Sequence, residues 1–176
     1  FRSRARDRTF QAIYALRGKP LNVMETAQAK VNSNAEAVGL LAAIGVDLGA
    51  KDIAKSLTRM QYGKIISLAD PDVDGKHINV LGLAIVWKYA PQVVTGGHFY
   101  AVIAPLYKCL HKGKTHFGMT KDEIFKKTGS EKVEVQYIKG WGEISEEDIE
   151  IALKPGLRKL IRITAPSRKD ADEFQA

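Results

Sequence analysis

Apolar residues along this chain recur at two spacings, and the spacings predict an alternation of strands and helices. Gly63 to Ala69, "GKIISLA", is a short apolar run of the kind that forms a strand buried on both faces. Ile78, Leu81, Ile85 and Tyr89 then recur at helical spacing until Pro91 ends the pattern. "GGHFYAVIAPLY" reads as turn, strand and stop. Further upstream, Asn34 is placed to cap a helix through "AEAVGLLAAIG", with Gly45 as its stop. Strand, turn, helix and strand in that order form a βαβ unit, which predicts an α/β fold with a parallel sheet and helices on both faces. In such sheets the functional site lies at the carboxyl ends of the strands.

The flanking segments differ in character. "FRSRARDRTF" sets Arg2, Arg4, Arg6 and Arg8 at period two, so an extended arm would present all four on one face. Gly18 and Pro20 break regular structure in "RGKPLNV", and Leu57 to Tyr62 reads as a connector. Residues 113–135 are polar and rich in lysine, as in a surface insertion. "VEVQYIKGWGEISEEDIEIAL" predicts a strand, a glycine-bracketed turn and a helix opened by Ser145 and Asp148. "LRKLIRIT" alternates basic and apolar residues as a strand would. The expected organisation is a main domain over 1–112, an insertion over 113–135 and a small α+β tail over 136–176.

Composition changes this picture little. The 176 residues are 45% hydrophobic and 27% charged, an ordinary globular balance with enough chain for a core. No apolar stretch is long enough to span a bilayer, so no membrane association is expected. A single cysteine, Cys109, excludes an internal disulfide and suits a reducing, cytoplasmic compartment. The net charge of +7 favours polyanionic partners.

The unusual chemistry sits behind the first strand. In "LADPDVDGKHI", Asp70, Asp72 and Asp74 crowd five positions before a turn expected at Gly75. Mutual repulsion there suits a bound cation better than stability alone. A calcium loop of the EF-hand kind needs a glutamate where Leu81 stands and a helix in front, so that reading fails. A strand ending in D-x-D also suits an aspartyl-phosphate phosphatase, although the later lysine and acidic pair lack support. Magnesium acting on phosphodiesters takes hard oxygen ligands from one or two carboxylates. A solvated acidic turn with helix-capping aspartates is the bland alternative.

Four motifs in order identify a resemblance that covers nearly the whole chain. "GKIISLADPDVDGKHI" is similar to T-D-A-D-V-D-G-x-H-I, the signature of the TOPRIM domain of type IIA DNA topoisomerases. "RDRTFQAIYALRGKPLNV" resembles the segment around P-L-R-G-K-x-L-N-V, and "GGHFYAVIAPLYK" resembles G-H-x-Y-I-A-x-P-P-L-Y-K. "QYIKGWGEIS" resembles Y-K-G-L-G-E-M, which opens the tail. The resemblance lies with the gyrase and topoisomerase IV B-subunit branch, as a divergent member. It implies a Rossmann-like TOPRIM sheet whose acids hold Mg2+ while a tyrosine on a breakage-reunion subunit attacks DNA. By motif position, Asp70 and Asp72 are the metal pair and Asp74 a supporting carboxylate. Lys19 and Asn22 fall at DNA-contacting positions, Arg17 and His77 join the catalytic set, and Lys139 is a further DNA candidate.

Departures from the pattern accompany the match. Ala69 replaces Thr, Pro71 replaces Ala and removes an N–H, Ala104 replaces a Pro, and Trp141 replaces Leu as packing variation. The related upstream strand ending in E-G-D-S-A, whose Glu completes a two-ion site, has no counterpart here, and Glu25 and Glu36 lie in the wrong segments. The resemblance therefore implies half a metal site. An upstream ATPase segment would consume ATP, and the assembly would be a heterotetramer on double-stranded DNA, inactive as this chain alone. The competing function class is a non-catalytic nucleic-acid-binding module, which needs no divalent ion.

Overall fold

The computed structural model describes residues 6–51, 60–70, 72–103, 105–153 and 159–164. Arg2, Arg4, Pro71 and Ala104, residues 57–59 of the connector expected at 57–62, and Leu157 and Arg158 of the last strand lie outside them. The chain divides into two compact units. One comprises Tyr14–Leu68, His77–Ala101 and Leu160–Ala176; the other comprises Phe1–Ile13, Ala69–Lys76 and Val102–Lys159.

The first unit holds the α/β core. Helices α1 (Gln28–Asn32) and α2 (Ala35–Ile44) precede strand β1 (Ile65–Ser67). Asn34 caps α2 by accepting from the Ala37 N–H at 2.9 Å, and Gly45 ends it at φ 107°, a left-handed conformation that glycine adopts without strain. Ala37, Leu41 and Ile44, spaced for one helix face, are buried. Helix α3 (Val73–Tyr89) adds Ile85, Val86 and Tyr89 to that core. Pro91 stops α3 as expected, but it also occupies the first turn of a short helix α4 (Pro91–Thr95), where a missing N–H costs nothing.

Strand β2 (Phe99–Ile103) pairs parallel with β1, Ile65 opposite Phe99 and Ser67 opposite Ala101. Strand β6 (Lys159–Ile163) completes the order β1-β2-β6. The parallel pairing is the one the βαβ pattern predicts. The double-sided burial expected of β1 is not found: the strand is three residues long and Ile66 is 38% exposed. Among the described residues β1 is an edge strand, and alternation turns Ile66 away from the core.

The second unit is built on antiparallel pairing, which the apolar spacing does not predict. Strands β3 (Tyr107–His111) and β4 (Lys114–Gly118) form a hairpin closed by Lys112 and Gly113. Both loop residues have positive φ, 49° and 73°, the conformation that matches strand twist in a two-residue turn. Helix α5 (Lys121–Thr128) follows, with Thr120 as its cap and Ile124 buried. The lysine-rich stretch expected as a surface excursion thus contains a strand and an amphipathic helix with Lys121 and Lys126 exposed, while Lys127 donates its Nζ to the Phe117 carbonyl. Strand β5 (Gln136–Tyr137) joins β3, so strand pairing links residues on either side of both 112 and 135. A single 3-10 turn (Trp141–Glu143) and helix α6 (Glu146–Leu153) complete the unit. Ser145 opens α6 as predicted, its Oγ accepting from the Asp148 N–H at 3.1 Å.

The described part of the basic arm is not extended. Asp7 folds residues 7–11 into a turn: its Oδ1 accepts from the Thr9 N–H at 2.9 Å, and its carbonyl accepts from the Gln11 N–H at 2.9 Å. Asp competes with extended structure in this way because its short carboxylate reaches nearby backbone donors. Among the described residues no helix is long and apolar enough to cross a membrane.

Candidate metal and nucleic-acid site

Asp70 follows β1 by three residues, and Asp72 and Asp74 open α3. The turn expected at Gly75 is instead the first turn of that helix. Asp72 caps it: its Oδ1 accepts from the Gly75 N–H at 2.7 Å, and its carbonyl accepts from the Lys76 N–H at 3.1 Å. Asp74 lies within the first turn, where the partial positive charge of the helix N-terminus favours a carboxylate. Gly75 is buried, and the backbone of Asp70 fills the place where a Cβ would stand, with Asp70 N and C at 2.8 Å. Glycine serves here for close backbone approach, not for a turn.

Asp70 is held from elsewhere in the same unit. The Trp141 N–H donates to Asp70 Oδ1 at 2.8 Å, and the Trp141 indole Nε1–H donates to the Ala69 carbonyl at 3.2 Å. Trp141 is buried, 7% exposed. Its replacement of Leu is therefore more than packing variation, because only the indole supplies that second donor. The preceding Gly140 is also confined: a Cβ there would lie 2.9 Å from Asp70 Cγ and Oδ1. Lys139, the DNA candidate in this motif, is exposed, and its N–H donates to Glu143 Oε2 at 3.3 Å.

The donor chemistry suits magnesium. Asp70 and Asp72 are both exposed, and each commits one carboxylate oxygen to a backbone N–H while carrying a second. Two hard oxygens with room for water match an ion that keeps much of its hydration shell. Among the described residues no three His, Cys, Asp or Glu side chains converge as a metal cluster.

The other unit carries the remaining predicted residues. Arg17, Lys19 and His77 are exposed, and Asn22 is half-buried. Asn22 shapes its own segment: its Oδ1 accepts from the Met24 N–H at 3.2 Å, and its carbonyl accepts from Thr26 Oγ1 at 2.7 Å. Its side-chain nitrogen keeps two N–H donors. Glu36 Oε2 accepts from the Arg17 N–H at 3.2 Å, a structural use that fits its exclusion from the acidic set. Tyr14 donates to the Glu36 carbonyl at 3.2 Å, and burial, then the Glu36 charge, raises its pKa above the usual phenol value.

Known proteins resemble this chain in sequence and in structure. Residues 3–105 match the Toprim domain. The B subunit of DNA gyrase from Archaeoglobus fulgidus is 38% identical over 174 residues, covering 97% of this chain and 27% of the relative. The B subunit of DNA topoisomerase 4 from Caulobacter vibrioides is 36% identical over 177 residues, covering 96% of this chain and 25% of the relative. Among solved structures, the DNA-binding, cleavage and re-ligation domain of Plasmodium falciparum topoisomerase II superposes with a TM-score of 0.69. At 20% identity, that match covers 91% of this chain and 22% of that one, and it shows the shared fold. The chain spans about a quarter of the length of these curated relatives.

Proposed function

Because the chain belongs to the Toprim domain family, we propose that it is the metal-binding part of a type IIA DNA topoisomerase, acting in double-strand cleavage and religation. The observation that carries this reading is the pair Asp70 and Asp72, two exposed carboxylates fixed by backbone N–H donors, each with an oxygen left to give. Relatives named as the B subunits of DNA gyrase and of DNA topoisomerase 4 match almost the whole chain and support it.

Asp70 and Asp72 hold Mg2+ in this reading, and Asp74 adds negative charge nearby. The bound ion supplies electrostatic stabilisation of charge on the phosphodiester oxygens. The chain's own residues position: Lys19, Asn22 and Lys139 donate to the DNA backbone, which sets register without reading sequence. Arg17 and His77 belong to the same catalytic set. The attacking tyrosine comes from a partner breakage-reunion subunit, ATP is consumed by an upstream segment, and the working form is a cytoplasmic heterotetramer. A carboxylate from a strand beside β1 completes a two-ion site, and β1, at the end of the described strand order, offers the backbone edge with which such a strand would pair. In domain terms, 1–112 forms the Toprim part, 113–135 an insertion and 136–176 the tail.

The test is DNA cleavage by the assembled enzyme with Asp70→Ala or Asp72→Ala. Each variant should lose magnesium-supported cleavage while DNA binding persists. Unchanged cleavage in both overturns the magnesium reading and leaves a plain nucleic-acid-binding module.

A further inference from the structure

The Asp70 side chain is gripped by a residue far away in sequence. Trp141, 71 positions on, donates its backbone N–H to Asp70 Oδ1 at 2.8 Å and its indole N–H to the neighbouring Ala69 carbonyl at 3.2 Å. Two donors from one buried residue thus fix two successive groups of the turn that carries the acid. Gly140 presses from the same side, with space for a hydrogen but not a methyl against the Asp70 carboxylate. A core-filling aromatic needs none of this, since burial alone requires only that its N–H find some acceptor. Here the acceptor is the residue next to the proposed metal ligand, and the same tryptophan's backbone binds that ligand directly.

We infer that Trp141 is a positioning residue for Asp70, orienting its carboxylate so that the second oxygen is presented to the ion. The inference rests on the magnesium reading of Asp70. The N–H of Trp141 occupies Oδ1 and stops the carboxylate from rotating. The indole bond to Ala69 keeps the turn from drifting, so the ligand oxygen stays in one place without an entropic cost on binding. Residues that orient a metal ligand in this way commonly contribute about 10- to 100-fold to affinity.

The experiment measures Mn2+ binding to the assembled enzyme by electron paramagnetic resonance, in the wild type, Trp141→Phe, Gly140→Ala and Asp70→Asn. Phe keeps a buried ring and removes the indole donor; Ala at 140 leaves Trp141 intact and crowds the carboxylate. Both variants should bind Mn2+ about 10-fold more weakly. Their cleavage should recover at high Mn2+, with the metal concentration for half-activity raised and the maximal rate kept. A role in packing alone would lower thermal stability and leave Mn2+ affinity at the wild-type value. That result, with Asp70→Asn impaired, overturns the positioning role while the magnesium reading stands. Wild-type affinity in Asp70→Asn overturns both. Should Trp141→Phe fail to fold, Gly140→Ala decides: wild-type Mn2+ affinity in that variant overturns the inference.

Discussion

Asp72 Oδ1 accepts the Gly75 N–H at 2.7 Å, so the aspartate proposed as a metal ligand is also the cap of helix α3. The two roles separate by substitution. Asn caps helices about as well as Asp, whereas Ala at a cap costs about 0.5–2 kcal/mol. Asp72→Asn should therefore keep thermal stability near wild type while losing divalent-ion binding. Asp72→Ala should lose both. Denaturation curves and Mg2+ calorimetry on the two variants check this; retained Mg2+ affinity in Asp72→Asn refutes its ligand role.

Gly75→Ala sets helix propensity against sterics. In an open helix the change would stabilise by roughly 1 kcal/mol. Here the new methyl meets the Asp70 backbone, which cannot rotate away as a side chain could. Overpacking of this kind costs about 1–3 kcal/mol, so a net loss of stability is expected in urea unfolding. A gain would show that the Asp70 turn yields easily.

The DNA contacts proposed for Lys19 and Asn22 predict different signatures. Lys19→Ala should weaken binding about equally across sequences and lower the salt slope by roughly 0.9, one phosphate's share. Asn22→Asp keeps the oxygen that accepts from Met24 but replaces the donor nitrogen with a charged oxygen. Its fold should survive and its DNA affinity should fall. Changed sequence preference in either variant, read by competition between duplexes, would contradict a backbone contact.

Asp7 offers a pH test. Hydrogen bonds from Thr9, side chain first and then backbone, hold its carboxyl below the ordinary aspartate value. With the folded pKa depressed, the contribution to stability is present above the unfolded pKa and is lost as pH falls through the folded one. The side-chain part of the turn at residues 7–11 should persist at mildly acidic pH and be lost with a midpoint below the ordinary aspartate value. The Thr9 amide chemical shift, followed by NMR, reports the midpoint; a midpoint at or above the ordinary value contradicts the turn.

Local chemistry was legible in the sequence. Asn34 and Gly45 bracket α2 because a side-chain acceptor and a residue tolerant of positive φ act within one turn of chain. Ile85 and Tyr89 mark the buried face of α3 by spacing alone, and the parallel β1–β2 pair follows from the βαβ order. The hairpin signal of Lys112-Gly113 was also local, but the surrounding lysines obscured it: exposed charge does not reveal that a strand and a helix bury Cys109, Phe117 and Ile124 beneath it. The motifs likewise pointed to Asp70 and Asp72. Only the tertiary structure decided how those acids are held. Asp72's grip is three residues away, while Asp70's lies 71 residues on, in a segment whose pairing no periodicity encodes. Hydrogen bonds between such distant segments form when the whole unit folds, because their geometry depends on every packed element between them. That is why Lys139 caught attention in the sequence while its neighbours Gly140 and Trp141 hold the acid.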